Sequence, residues 1–235
     1  MTALRSAILA ASAVLIAAPA AAMDTREESR VFHMVRAEID WTKIDGDNLL
    51  TWDTSGWIGR DRDKAWFRAE GEARGGHVED AELWALYSRN IATFWDVQIG
   101  VRQDVEPRST TYAVIGVSGL SRYFFETNAH LFVSHRGDVT ARLEQSYDLL
   151  ITQRLIAEPH LELNFSAQDV PELTLAAGLN SVEAGLQLRY EIVRKFAPYV
   201  DFNYVRTSGE TAGLRRAAGR DPEEFTIRAG LRVWF

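Results

Sequence analysis

Residues 139–149 read VTARLEQSYDL, and their apolar side chains recur at every second position. One face carries Val139, Ala141, Leu143, Tyr147 and Leu149, with Gln145 as the exception. The other face carries Thr140, Arg142, Glu144, Ser146 and Asp148. Because successive side chains of a β-strand point to opposite faces, this period predicts a strand with one apolar face and one charged face.

The same alternation returns along most of the chain, clearly at 182–192 and 225–235. Strands that follow one another with short polar connections are typical of antiparallel hairpins. The sequence therefore predicts an all-β protein of about twelve antiparallel strands. The predicted spans are 31–41, 49–59, 63–73, 80–91, 94–103, 111–119, 123–134, 139–151, 160–168, 182–193, 199–208 and 224–235.

Two classes of β protein share this period: soluble sandwiches or lipocalin-like barrels, and transmembrane barrels. Strands of about ten residues, aromatic side chains near strand ends, charges of both signs at mid-strand and a last strand that finishes on Phe235 favour a membrane barrel. We predict an antiparallel transmembrane β-barrel of the bacterial outer membrane with a polar, charged lumen. The mean hydropathy of −0.18 then averages one apolar face with one charged face.

The first 22 residues have the layout of a secretory signal peptide: Arg5, an apolar run at 7–18, Pro19 and an A-x-A site at 20–22. The apolar run is shorter than a membrane-spanning helix. We expect three parts, namely a cleaved signal peptide at 1–22, a short periplasmic N-terminal segment at 23–30 and the barrel at 31–235.

Composition excludes several classes of function. The chain of 235 residues contains no cysteine, which excludes disulfides, thiolate metal sites and cysteine nucleophiles. The net charge of −7 argues against a nucleic-acid partner, because nucleic acids require a basic surface. Membrane lipid is the first partner that the predicted barrel implies.

Connections between the predicted strands tend to alternate in length. Those at 60–62, 92–93 and 120–122 are short, and those at 42–48, 74–79, 104–110, 169–181 and 209–223 are longer. The connections at 135–138 and 152–159 break this alternation. Short turns at one end and longer loops at the other are typical of outer-membrane barrels, whose short turns face the periplasm.

Strand parity places more acidic than basic side chains in the lumen. Rings of carboxylates attract cations, so we interpret the inward acids as a cation path. The alternative is structural, because neighbouring arginines and carboxylates pair across strands and fill an interior. The candidate path consists of Glu38, Asp40, Glu70, Glu72, Asp96, Glu126, Glu144 and Glu162.

Four residues are candidate metal contacts. Parity turns His130, His160 and Met34 inward, whereas His33 faces outward unless it lies at the barrel rim. Imidazole and thioether together suit copper. A lone inward histidine that only forms hydrogen bonds is the competing interpretation.

An outer-membrane hydrolase is the enzymatic alternative, because such enzymes place serine and histidine at a barrel rim. Ser134 and His135 are adjacent in sequence near the end of a predicted strand. Adjacent strand residues face opposite sides, so these two side chains alone cannot form a nucleophile–base pair.

Eight ordered stretches cover the chain from about residue 30 onward: 50–57 (LTWDTSGW), 81–89 (AELWALYSR), 94–104 (FWDVQIGVRQD), 115–120 (IGVSGL), 147–155 (YDLLITQRL), 159–164 (PHLELN), 189–192 (RYEI) and 196–199 (FAPY). With these motifs the chain resembles the copper resistance protein B family. The resemblance implies a non-catalytic outer-membrane barrel of copper homeostasis that works beside a periplasmic multicopper oxidase. Many family members carry a Met- and His-rich segment before the barrel, whereas residues 23–30 read MDTREESR.

We therefore expect an outer-membrane barrel that binds or passes copper ions, with copper as a transient ligand. A narrow general porin without metal specificity is the main alternative, and the hydrolase is the third.

Overall fold

Twelve barrel strands close into one antiparallel sheet in the computed structural model, which describes residues 30–44 and 46–235. The strand segments are β1 (Phe32–Ile44), β2 (Asp47–Gly59), β3 (Asp63–Arg74), β4 (His77–Ala92), β5 (Trp95–Glu106), β6 (Thr110–Leu120), β7 (Glu126–Ser134), β8 (Val139–Ser146), β9 (Leu149–Leu150), β10 (Leu155–Ser166), β11 (Gly178–Tyr190), β12 (Phe196–Thr207) and β13 (Glu223–Trp234). One α-helix, α1 (Gly209–Ala217), and 3-10 turns at Arg122–Phe124 and Pro171–Leu173 complete the described elements.

Closure comes from the pairing of β13 with β1, which places Glu38 opposite Arg232. The Val35 amide donates to the Phe235 carbonyl at 3.0 Å, and the Phe235 amide donates back at 2.9 Å. A closed barrel pairs the backbone groups of every strand and has no free edge, as a sheet in lipid requires. The predicted all-β antiparallel barrel is confirmed.

β8 and β9 form one barrel strand that is interrupted between Ser146 and Leu149, because both segments pair with β10. The residue of β10 at the interruption is Pro159, whose carbonyl accepts from the Tyr147 amide at 3.2 Å. Proline has no amide hydrogen and cannot complete a ladder pair. Counting β8 and β9 as one strand gives the twelve strands that the sequence predicts.

The two faces of the wall have opposite character. Large apolar side chains such as Ile39, Leu83, Ile99 and Ile227 are about half exposed on the outer face. Buried polar groups face inward, among them Glu82, Gln98, Asp201, Asn203 and Arg189. A soluble barrel has the reverse arrangement, so the wall is built to face lipid. None of the described helices is long and apolar enough to cross a membrane.

The predicted signal peptide at 1–22 and most of the predicted periplasmic segment at 23–30 lie outside the described residues and stay predictions. The predicted barrel at 31–235 coincides with the span of the strands.

Several predicted loops are shorter than expected, because strands extend through polar residues. Only two residues separate β1 from β2 and β3 from β4, and three separate β5 from β6. β10 begins at Leu155, so the predicted connection at 152–159 is also short. The long connections are 167–177 and 208–222, and we call the end of the barrel that carries them the loop rim. The opposite end, with the turns 60–62, 93–94, 121–125, 151–154 and 191–195, is the turn rim.

The two long connections pack on each other at the loop rim. The Ala176 amide and the Asn180 side-chain amide both donate to Thr211 Oγ1 of α1, at 2.9 and 3.0 Å. Glu172 pairs with Arg108 at 2.5 Å and with Arg136, which ties the first connection to two neighbouring turns. α1 was not predicted from the sequence.

Three inward glycines lie directly opposite an inward ring on the next strand. Gly116 faces His130, Gly185 faces His160, and Gly230 faces Tyr199. In each pair the ring lies over the glycine, where a Cβ atom would meet ring atoms. The absence of a side chain on these glycines therefore makes room for rings that line the lumen.

We expect Gly230→Ala to lower the free energy of unfolding by about 1–3 kcal/mol, the usual cost of overpacking. The new Cβ would lie 2.6 Å from Tyr199 Oη and 2.7 Å from Asp40 Cβ. Urea unfolding of the refolded barrel measures the loss. Gly213→Ala in α1 is the matched control, because nothing lies within 4 Å of its Cβ position. Equal stability of the two variants would contradict the close fit.

Candidate functional site in the lumen

A cavity of about 1060 Å³ lies inside the barrel and is lined by side chains from strands around the wall. Its lining is rich in carboxylates, including Glu38, Asp40, Glu72, Glu183 and Asp201. Arg215 and Arg220, from the connection that contains α1, reach the same cavity at the loop rim. The polar, charged lumen that the sequence predicts is therefore present.

The barrel register aligns carboxylates on neighbouring strands. Five stand directly opposite one another across β1 to β5: Glu38, Asp53, Glu70, Glu82 and Asp104. A second row, Glu144, Glu162 and Glu183, crosses β8, β10 and β11. Like charges directly opposite each other are destabilising, so these rows require nearby cations.

Two arginines supply positive charge across the lumen. Arg68 on β3 donates to Glu144 on β8 at 2.7 Å, and Arg142 on β8 donates back to Glu70 on β3 at 2.6 Å. β3 and β8 lie five strands apart around the twelve-strand wall, so both bridges span the interior. Arg142 also reaches Glu82 at 3.0 Å. These bridges form a brace that divides the lumen.

The wall of β4 to β7 carries an inward apolar cluster of Trp84, Leu86, Tyr112, Val114 and Phe132. Trp84 and Phe132 meet edge to face with ring centroids 5.1 Å apart. The Arg102 guanidinium lies 4.8 Å from the Phe132 ring centroid, and those of Arg68 and Arg142 each lie 5.6 Å from the Trp84 ring. Cation–π contacts of this kind hold the three arginines against the apolar cluster of β4 to β7.

A second ion cluster lies near the closing seam. Arg232 forms ion pairs with Glu38 and Glu158, both at 2.8 Å, and Arg189 pairs with Glu158 and Asp148. The side chains of Arg189 and Arg232 are 6% and 10% exposed. Both arginines are therefore committed to carboxylates of the wall.

Three carboxylates on β1, β11 and β12 are different, because none of them pairs with an arginine: Asp40, Glu183 and Asp201, which we call the carboxylate wall. Asp40 accepts from Thr51 and from Tyr199 Oη, the latter at 3.0 Å, and Glu183 accepts from Asn203 at 2.5 Å. Arg228 stands opposite Asp201 in register but bonds to Thr226 instead. Asp40, Glu183 and Asp201 therefore present negative charge that no arginine within 4.0 Å neutralises among the described residues.

His160 points across Gly185 toward this wall. Its Cε1 lies 2.5 Å from the position of a Gly185 Cβ, and its Nδ1 lies 4.0 Å from Asp201 Oδ1. Asp201 Oδ1 and Asn203 Oδ1 are buried and lack a hydrogen-bond partner in the described part of the chain. Buried polar atoms are normally satisfied, so these two oxygens are free to accept a ligand. Imidazole nitrogen with carboxylate and amide oxygens is a donor set that fits copper as a transported ion.

Seven of the eight predicted path residues line the cavity: Glu38, Asp40, Glu70, Glu72, Glu126, Glu144 and Glu162. Asp96 also faces inward, but it is held by Lys64 at 2.8 Å, Ser88 and Asn90 near the turn rim. Pairing with arginines accounts for some of the inward acids, and the cation path stays a prediction. Glu70 and Glu144 belong to the brace, whereas Asp40 has no arginine partner.

Three of the four candidate metal contacts, Met34, His130 and His160, line the cavity. His33 is exposed on the outer face, as strand parity indicates. His130 is buried against Trp84, and its Nε2 lies 2.8 Å from Gln98 Oε1. Within residues 30–44 and 46–235, no three His, Asp or Glu side chains are arranged to hold a metal ion together.

Ser134 and His135 do not meet at the loop rim. Ser134 Oγ donates to Asp138 Oδ2 at 2.9 Å and accepts from the amides of Arg136 and Asp138, so it organises the turn after β7. The exposed His135 donates its amide to the Thr111 carbonyl at 2.9 Å. This pair offers no nucleophile–base geometry.

Sequence reasoning did not single out Asp201 and Asn203, which complete the surroundings of His160. The alternation along β12 turns Asp201 inward. His160 on β10 can approach β12 only because the residue between them on β11, Gly185, has no side chain. The alternation of Val182, Ala184 and Leu186 with Glu183, Gly185 and Gln187 was the available signal.

Comparisons with known proteins agree with this architecture. The family model for the copper resistance protein B precursor (CopB) matches residues 30–235. Copper resistance protein B of Escherichia coli is 39% identical over 199 residues, which is 84% of this chain and 67% of that protein. The copper resistance protein B homolog of Pseudomonas syringae pv. tomato is 39% identical over 204 residues, which is 86% of this chain and 69% of that protein.

Among solved structures, the NanC porin superposes with a TM-score of 0.56 at 14% identity, covering 86% of this chain and 99% of the porin. The KdgM porin superposes with a TM-score of 0.51 at 10% identity over the same shares. At such identities the likeness shows the outer-membrane barrel fold alone. Taken with the family model and the two relatives, the closed barrel with its charged lumen shows that this outer-membrane chain belongs to the copper resistance protein B family.

Proposed function

We propose that the barrel binds copper ions in its lumen and passes them along the carboxylate wall of Asp40, Glu183 and Asp201. The observation that carries the proposal is His160, whose Nδ1 lies 4.0 Å from Asp201 Oδ1. This buried oxygen and Asn203 Oδ1, two residues further along β12, have no hydrogen-bond partner in the described chain. A neutral imidazole and oxygen donors suit Cu(II) better than Cu(I), which prefers sulfur.

The remaining carboxylates support entry of a cation. Asp40, Glu126 and Glu183 line the same cavity as His160 and have no arginine within 4.0 Å in the described residues. The arginines of the brace are paired with Glu70, Glu82 and Glu144, so a cation meets less repulsion along the carboxylate wall, which no arginine contacts within 4.0 Å in the described residues. Rings of carboxylates select cations in this way.

Cu(II) titration of the refolded barrel tests the proposal. We expect His160→Ala and Asp201→Asn each to weaken Cu(II) binding about tenfold or more, a change of at least ~1.4 kcal/mol. His33→Ala is the matched control, because His33 lies on the outer face. This variant should bind Cu(II) as tightly as the unmodified barrel does. Binding that is unchanged in both lumen variants would refute the site.

Conductance in planar bilayers separates this function from that of a narrow general porin. We expect cation selectivity and a current that falls when micromolar Cu(II) is added. An unselective current that ignores copper would support the general porin. Transfer of copper to a periplasmic multicopper oxidase, which the family resemblance implies, stays a prediction.

A further inference from the structure

A second cavity, of about 520 Å³, lies on the outside of the barrel where β11 and β12 meet α1. Val182, Ala184 and Tyr204 form its floor, and all three belong to the outward-facing set of their strands. Its upper end is bordered by Arg206, by Arg216 and by Ala212 of α1. An apolar floor that ends at two guanidinium groups is the shape of a site for an amphiphile with an anionic head.

α1 creates this cavity by lying across the loop rim. Thr211 and Arg215 face inward, where Thr211 accepts from Asn180 and Arg215 donates to Thr207 Oγ1 at 2.9 Å. Ala212 and Arg216 are four residues apart and therefore lie on one face of the helix, next to the face that carries Thr211 and Arg215. The helix thus places Arg216 above the lipid-facing wall, while Arg215 reaches the lumen.

The charges at the cavity favour an anion. Arg216 is exposed and has no ion pair within 4.0 Å in the described part of the chain, and Arg206 contacts Glu223 at 3.6 Å. Both partners of that contact are at least half exposed, so the bridge is weak and exchangeable. Glu223, at the start of β13, is the one acid among the residues that line the cavity, so its two arginines leave a net positive charge. Guanidinium groups bind phosphate oxygens through paired hydrogen bonds, which distinguishes phosphate from other anions.

The position of the cavity identifies the source of the phosphate. Its floor continues the half-exposed apolar wall of Leu186, Phe202 and Phe225, which faces acyl chains. The guanidinium groups therefore stand at the level where apolar wall gives way to polar rim, and lipid headgroups lie at that level. A volume of about 520 Å³ is within the range of small-ligand sites, roughly 300–1,000 Å³.

We propose that this cavity binds one membrane lipid whose phosphate-bearing head has a net negative charge, with an acyl chain along Val182, Ala184 and Tyr204 and its phosphate between Arg206 and Arg216. This site is independent of the lumen and does not rest on the copper function. A bound lipid would hold α1 against the outer wall.

Native mass spectrometry of the purified barrel tests the site with lipid A, phosphatidylglycerol and phosphatidylcholine as probes. We expect retention of lipid A or phosphatidylglycerol and at least about tenfold less phosphatidylcholine. Arg216→Ala combined with Arg206→Ala should reduce retention of the anionic probe about tenfold or more. Arg194→Ala is the control, because Arg194 is exposed on the turn between β11 and β12 at the opposite rim.

A second variant tests the apolar part of the site. Ala184→Phe fills the floor on a lipid-facing position and leaves both arginines in place, so the barrel folds and lipid retention should fall. Preference of lipid A over phosphatidylglycerol would assign the site to the outer leaflet. Equal retention of phosphatidylcholine, or retention unchanged in the arginine and phenylalanine variants, would overturn the proposal.

Discussion

Replacing Arg142 by methionine is expected to lower the free energy of unfolding by about 3–5 kcal/mol, the usual cost of removing one partner from a buried ion pair. The Arg142 side chain is 11% exposed and bonds to Glu70 and Glu82 from the opposite side of the lumen. Methionine retains most of the apolar stem but provides no charge. Glu70 would keep Arg68 and Glu82 would keep Arg102, each at 2.7 Å, so the repulsion between these aligned carboxylates would be only partly compensated. Of the brace, only the bridge from Arg68 to Glu144 would remain.

Urea unfolding of the refolded barrel measures this loss. Single-channel conductance should rise, because the Arg142 side chain no longer crosses the lumen to Glu70 and Glu82. Arg60→Met on an exposed turn is the control and should change stability by less than about 0.5 kcal/mol. Neutralising Glu70 and Glu82 to glutamine in the Arg142→Met background should restore part of the stability. If it restores none, charge pairing is not the reason for the loss.

Trp84→Ala is expected to have a similar effect, a loss of about 3–5 kcal/mol, through a different cause. Trp84 is 4% exposed inside the lumen and contacts Phe132, His130 and three guanidinium groups. Removing the indole leaves a cavity and takes away the ring against which Arg68, Arg102 and Arg142 lie. The open volume should also raise conductance.

Leu83→Ala is the matched control, because Leu83 is the neighbouring residue of β4 and is 52% exposed on the outer face. Lipid fills the space that this change leaves, so only the transfer part of the cost applies and the loss should be smaller. Equal losses for the two variants would show that the lumen cluster is no better packed than the lipid-facing wall.

The strands were accessible from the sequence because each keeps one apolar face toward lipid, and a period of two survives without any knowledge of neighbours. The ends of the hairpins beyond the apolar band could not be predicted in the same way. Gly75 and Gly76, for example, lie among charged residues that resemble a loop. β10 was also predicted too short, because Pro159 near its start resembles a strand boundary. The helix within 208–222 could not be predicted, because its nine residues are too few to show a clear helical period of apolar side chains.

For the site, parity was enough to say which side chains enter the lumen, and Asp40, Glu162 and His160 were placed correctly. Parity does not say which side chains meet across it. The contact of Arg68 with Glu144 depends on how many strands close the barrel and on their stagger, and neither can be read from one strand. For the same reason the sequence could not show that Asp201 lies close to His160.

The seam between β1 and β13 has a consequence for the order of events during synthesis. Val35 forms its two backbone hydrogen bonds with Phe235, a residue that is made 200 residues later. Until β13 is available, β1 and β12 each present an unpaired edge, which lipid does not tolerate. Closure of this barrel in lipid therefore requires both ends of the described sheet at once, so a partly formed barrel without β13 is disfavoured in the membrane.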